Sequence, residues 1–227
     1  MNPFLFPRAR LGLLLLLLWL GGGVCAQKAT SPIFTQDTIS DALMVRMRKG
    51  NTWKTATPAS LRQELRYLRM SYKDANGQTR QGEMVVNRQI ADRVLRIFRK
   101  LYEAGYRIEK MKLMDDYQGD DEASMQDNNT SCFNFRFITN STTAISKHGY
   151  GLAIDLNPLY NPYVKGRSVV PAAGKSYAFR RDSRKDIPYK IDRKDLAYRL
   201  FTAEGFRWGG DWKSQKDYQH FEFSIPK

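Results

Sequence analysis

The chain has 227 residues, with 37 Lys and Arg against 23 Asp and Glu and only two histidines. That length suits one well-buried domain, and the surplus of positive charge points to an anionic partner. Once the first 26 residues are set aside, Cys132 is the only cysteine left, which excludes a disulfide scaffold; the fold must rest on its core, a metal, or both.

Residues 1–26 read as a secretory signal peptide. Arg8 and Arg10 precede an apolar run over 11–20, and Val24 and Ala26 place small side chains before a cut after Ala26. The run is too short for a comfortable membrane span. The remaining chain has 35 basic and 23 acidic residues, a net charge of +12. Export to the periplasm or cell envelope is therefore expected, with electrostatic association with an anionic envelope rather than with nucleic acid.

Residues 27–56 show no sustained period and read as an N-terminal extension, which places the start of the domain at 57 and its motif-bearing core at about 85–227. Ser60 and Gln63 in "SLRQEL" have the capping-box form and open a short helical turn. "LRYLRMSYKD" and "GEMVVN" flank "ANGQT", a hairpin in which Asn76-Gly77 supplies positive φ. A helix is expected over 88–104, with Ile90, Val94, Ile97, Phe98 and Leu101 on one stripe and Gly105 at its end. A strand over 106–114 and a polar loop over 115–131 follow. Residues 157–190 form a long Pro/Gly/Tyr-rich connection. A second helix at about 193–203, capped by Asp192 and stopped by Gly205, leads to "FRWGGDW" and a terminal strand "DYQHFEFSI". Together these elements predict an α+β fold, with a mainly antiparallel sheet and helices packed on one side.

The two histidines lie in "SKHGYGLAIDLNP" and "KDYQHFEF". In the first stretch a strand beginning near Gly151 puts Gly151, Ala153 and Asp155 on a nearly bare face, with Leu152, Ile154 and Leu156 in the core. Gly149 and Gly151 permit the turn that returns His148 over that face. In the second, Phe221, Phe223 and Ile225 face the core while Tyr218, His220 and Glu222 face the other way. Aligned antiparallel, the two strands bring together two imidazoles and one carboxylate, the ligand set of a catalytic zinc site with one position left open. Asp217, three residues before His220, is then the carboxylate free to take a proton from water. Glu222 is either an orienting partner for His220 or a competing base. Trp208, Trp212 and Tyr150 are candidate walls of the cleft, and Cys132 reads as a small buried residue.

Ser146-x-His148-x-x-Gly151-x-Ala153-x-Asp155, joined with Asp217-x-x-His220, resembles the zinc D-alanyl-D-alanine carboxypeptidase and L-alanyl-D-glutamate peptidase family, which shares its metal-site architecture with the Hedgehog N-terminal domain. The resemblance implies a Hedgehog-type zinc fold and one zinc per chain, held by His148, Asp155 and His220. It also implies Asp217 as general base, Arg136 as the residue that binds a substrate carboxylate or carbonyl, and Ser146 near the substrate. The activity it implies is hydrolysis of peptidoglycan stem peptides, first as a D-alanyl-D-alanine carboxypeptidase. An L-alanyl-D-glutamate endopeptidase and a non-catalytic Hedgehog-like zinc-binding module are the alternatives.

Overall fold

The computed structural model describes residues 31–138 and 140–225. The expected signal peptide lies outside the described residues.

β1 (Phe34–Thr38), β2 (Leu65–Lys73) and β3 (Thr79–Asn87) form an antiparallel meander in that order, with α1 (Asp41–Lys49) and the single turn α2 (Leu61–Glu64) between its first two strands. The β2–β3 hairpin turns as expected: Gly77 takes φ 78°, and Asp74 Oδ1 accepts from the Asn76 and Gln78 amides. The capping box at Ser60 is not made, because Ser60 already has helical backbone angles and its side chain makes no cap bond.

Residues 34–49 are part of the packed fold rather than an extension. β1 pairs along its whole length with β2, and α1, capped by Ser40, buries Leu43, Met44 and Met47. Helices also cover both faces of this sheet, not one. The consecutive residues Met84, Val85 and Val86 are all buried, and the period of two sends them to opposite sides. Met84 and Val86 join the core under α3 (Ala91–Glu103), whereas Val85 joins the core under α1. α3 buries Ala91, Val94, Ile97, Phe98 and Leu101, and Gly105 follows it at φ 68°.

Residues 106–113 are extended but do not form a strand with a partner. Isolated bridges join Lys73 to Arg107 and Lys110 to Asn129. Two buried asparagines take the place of a ladder: Asn157 bonds the Glu109 amide and the Arg107 carbonyl, and Asn129 bonds both backbone groups of Lys112. Within the expected loop lies α4 (Asp121–Gln126), with Asp120 accepting from the Ala123 amide as its cap.

The rest of the chain supplies two further three-stranded antiparallel sheets. One has the order β4 (Ala153–Asp155), β9 (His220–Glu222), β7 (Arg207–Trp208); the other has the order β6 (Ser168–Val170), β5 (Tyr163–Lys165), β8 (Lys216–Asp217). The long connection is therefore structured, and it also holds α5 (Lys175–Ala178). Buried Arg181 ties it down by donating to the Tyr160 and Tyr177 carbonyls and to Asn161 Oδ1. The last helix, α6 (Leu196–Ala203), starts later than expected. Asp195 caps it, while Asp192 closes the turn before it. Phe201 of α6 stacks on Phe221 of β9 and meets Phe98 of α3 edge-on, so one core joins α3, α6 and the strand that carries His220. Mixed helix and antiparallel sheet is the α+β class the sequence predicts.

Candidate metal centre

β4 and β9 run antiparallel with Asp155 directly opposite His220, which places the two side chains on one face. Asp155 is held on its other edge as well, exchanging two backbone bonds with Ser131. His148 comes from a single 3-10 turn, His148–Tyr150, and Gly151 at φ 66° reverses the chain into β4. A side chain at Gly149 would put Cβ 2.5 Å from Ile145 Cγ2 and 2.9 Å from the Arg136 carbonyl, so the turn can pass there only without one. Ser146 Oγ accepts from the Gly149 amide at 3.0 Å and closes the same turn.

The three side chains converge. His148 Nε2 lies 3.2 Å from His220 Nδ1 and 3.3 Å from Asp155 Oδ2, and His220 Nδ1 lies 3.0 Å from Asp155 Oδ1. His148 Nδ1 donates to the Cys132 carbonyl at 2.8 Å, which leaves the Nε2 lone pair facing inward. Ligands about 2.0–2.1 Å from a tetrahedral zinc stand about 3.3 Å from one another; the two nitrogens already have that spacing, each meets a different oxygen of Asp155, and one ligand atom from each of the three residues lies within 4.8 Å of the others. The residues fit zinc in both donor type and placement.

The electrostatics follow from burial. Desolvation opposes the charge on Asp155, yet the two imidazoles outweigh it and hold the carboxyl well below the usual carboxylate range. Desolvation also opposes the imidazolium of His220, but Asp155 and Glu222 raise that group to about 10. Glu222 Oε2 is 3.7 Å from His220 Nε2 and its other oxygen pairs with Arg207 at 2.6 Å, so Glu222 stands behind the imidazole, on the side away from Asp155.

A cavity of about 600 Å³ opens over this group. Asp217 lines it from β8, with Oδ1 buried and without a hydrogen-bond partner. Burial, with a contribution from Asp155, pushes its carboxyl up to about 6 against the opposing pull of His220. Gly209 makes this position possible, since a Cβ there would sit 2.7 Å from Asp217 Cβ. Arg136 and Ser146 line the same cavity. Arg136 Nε is 2.7 Å from Asp121 Oδ2 but lacks the alignment of a hydrogen bond, so the contact is a charge pair; Asn134 in turn holds Asp121 at 2.8 Å. The Arg136 carbonyl accepts from the Ser146 amide, which ties the arginine to the His148 turn.

Of the expected aromatic walls, Trp212 lines the cavity, its ring 5.3 Å from that of His220. Trp208 is instead a core residue whose indole donates to the Tyr218 carbonyl, and Tyr150 is exposed away from the lining. Cys132 is buried, as expected, and serves through its carbonyl. Ile225 is exposed rather than in the core, because β9 ends at Glu222. Sequence reasoning missed Asp121, Tyr163 and Val170 on the lining. The signal for the last two was present in "YVKGRSVV", two short apolar-bearing runs around a glycine.

Residues 139–223 match the family model described as D-alanyl-D-alanine carboxypeptidase. That stretch is a segment of this peptidase family. It includes Ser146, His148, Asp155, Asp217 and His220 and begins after Arg136. No solved structure matches the chain. The match supports a hydrolase acting on peptidoglycan-type peptides, and the His-Asp-His group is one that can hold a metal ion.

Proposed function

We propose that this chain is an exported zinc metallopeptidase of the cell envelope, that it hydrolyses peptidoglycan stem peptides, and that it acts as a D-alanyl-D-alanine carboxypeptidase. One observation carries the reading: two imidazole nitrogens and the Asp155 carboxylate meet at 3.0–3.3 Å beside a carboxylate with a buried, unpartnered oxygen, within the stretch that matches the family. The Hedgehog-type zinc fold belongs to the same proposal, supported by the two linked motifs.

His148, Asp155 and His220 hold one zinc per chain. When bound there, zinc supplies a Lewis acid that polarises a carbonyl and lowers the pKa of water. Asp217 takes the proton from the attacking water and returns it to the leaving amine. Its burial suits it to both halves of that exchange, because a carboxyl raised to about 6 gives up and regains a proton near neutrality. Arg136 receives the substrate's C-terminal carboxylate. Ser146 fixes the turn that aims His148 and faces the substrate from the same wall. Cys132 and Glu222 orient the two imidazoles through their outward nitrogens. The basic surface favours residence beside an anionic envelope.

Mass spectrometry of muropeptides incubated with the zinc-loaded protein tests the reading. Loss of a single terminal D-alanine is expected. Cleavage between L-alanine and D-glutamate would move the activity to the endopeptidase.

A further inference from the structure

Three cross-strand neighbours share one face of the sheet β6–β5–β8. Tyr163 stands opposite Val170 in one ladder and opposite Asp217 in the other. Residues directly opposite in antiparallel strands project to the same side, with Cβ atoms about 4.5–5.5 Å apart. Val170, Tyr163 and Asp217 all line the cavity over the metal centre, so this is the face the sheet turns toward the substrate. Their neighbours Val164 and Lys216 belong to the opposite face, where Lys216 Nζ donates to the Gly210 carbonyl.

The Tyr163 ring is half-buried, and among the described residues its hydroxyl makes no hydrogen bond. Burial and the charge of Asp217 push the phenol above its usual range, so it keeps its proton at neutral pH and is available as a donor. Two other polar groups on this lining have tasks of their own: the Arg136 guanidinium pairs with Asp121, and Ser146 Oγ accepts from the Gly149 amide of the His148 turn. A neutral hydroxyl beside the carboxylate is what an oxygen gaining negative charge requires, because it contributes a dipole fixed before the reaction begins.

The geometry points to Tyr163 as a catalytic residue whose hydroxyl donates a hydrogen bond to the scissile carbonyl oxygen as that oxygen becomes negative. This rests on the peptidase reading above and adds a residue to it. The β5–β6 hairpin then does more than cover the cleft. Its first residue contributes to the reaction, and the same ladder that places the hydroxyl also places Asp217.

The test is Tyr163→Phe, which keeps the ring against Val170 and both ladders and removes only the O–H. With the zinc-loaded full chain and a pentapeptide ending in D-Ala–D-Ala, kcat should fall on the order of 10²-fold with KM within about two-fold. Zinc content and melting temperature should stay unchanged. A phosphinate isostere of the scissile bond should bind more weakly by the same factor, while the tetrapeptide product binds equally to both proteins. Wild-type cleavage with unchanged kcat in Tyr163→Phe overturns the inference alone. So does a change confined to KM, or a phosphinate affinity that does not move. A wild type that neither cleaves the peptide nor binds the phosphinate overturns the peptidase reading, and the inference falls with it.

Discussion

Asp155 and His220 face each other across the β4–β9 ladder, with Nδ1 3.0 Å from Oδ1. One strand register thus sets two of the three proposed ligands, and the glycine-bearing turn after Ser146 adds His148 from the side. Metal binding should be sensitive to this backbone as well as to the ligands themselves.

Replacing a proposed ligand should remove the ion. Wild-type protein should hold about one zinc per chain, and His148→Ala, Asp155→Ala and His220→Ala should each lose it in metal analysis after gel filtration. Full occupancy in the double histidine variant would exclude this site.

Asp217→Asn should separate base from ligand. It should keep zinc and the fold while activity falls about 10²–10⁴-fold, the range of a lost general base. Asp155→Asn should lose metal and activity together. If Asp217→Asn stays active and Glu222→Gln is inactive with zinc bound, the proton passes through Glu222 instead.

The turn itself is the next target. Gly149→Ala forces Cβ against Ile145 and the Arg136 carbonyl. Overpacking of this kind costs about 1–3 kcal/mol, and the nearest relief is a shift of the turn that carries His148. Thermal melting and zinc titration should show lower stability and weaker zinc binding together. Normal zinc affinity would mean that the strain relaxes elsewhere.

Arg136 lies before the matched stretch, so its role needs a test of its own. A guanidinium reads a carboxylate bidentately in a way that an ammonium cannot reproduce. Arg136→Lys should therefore slow cleavage of a D-Ala–D-Ala free acid far more than cleavage of its amide. Equal slowing of both would leave Arg136 as a partner of Asp121 alone.

Stability against acid has a separate origin, away from the cleft lining. Glu204, at the end of α6, accepts two bonds from Arg96 of α3 and lies 3.7 Å from Arg93. The Arg96 bonds outweigh burial and hold its carboxyl below the usual range. Because the folded value is depressed, the contribution is present above the ordinary glutamate pKa of about 4.3 and is lost as pH falls through the lower folded value. The melting-temperature gap between wild type and Glu204→Gln should be full at pH 6 and should close below about pH 4. A constant gap would assign the effect to packing.

Much of this was legible in the sequence where a local rule acts alone. The period of α3, the Asn76-Gly77 hairpin and the glycines around His148 each express one steric requirement, and each is met. The misses share a different cause. Asn129 and Asn157 bond the backbone of Arg107, Glu109 and Lys112 through side chains, and the segment otherwise meets neighbouring backbone at isolated points, so an apparent strand has no continuous ladder. Arg181 supplies from a single side chain the bonds that turn the 157–190 connection into a structured layer. Val85 has a core on its side of the sheet only because α1 arrives from residues with no visible period. Such long-range bonds leave no periodic trace.

The central claim is a zinc-dependent cut at the terminal D-alanine. Its most direct test measures D-alanine released from a pentapeptide ending in D-Ala–D-Ala by wild-type protein, first metal-free and then after one equivalent of zinc. The account predicts no release without metal and steady release that saturates at one zinc per chain. Release that is unaffected by removing the metal, or a fully zinc-loaded protein that frees no D-alanine, would contradict it.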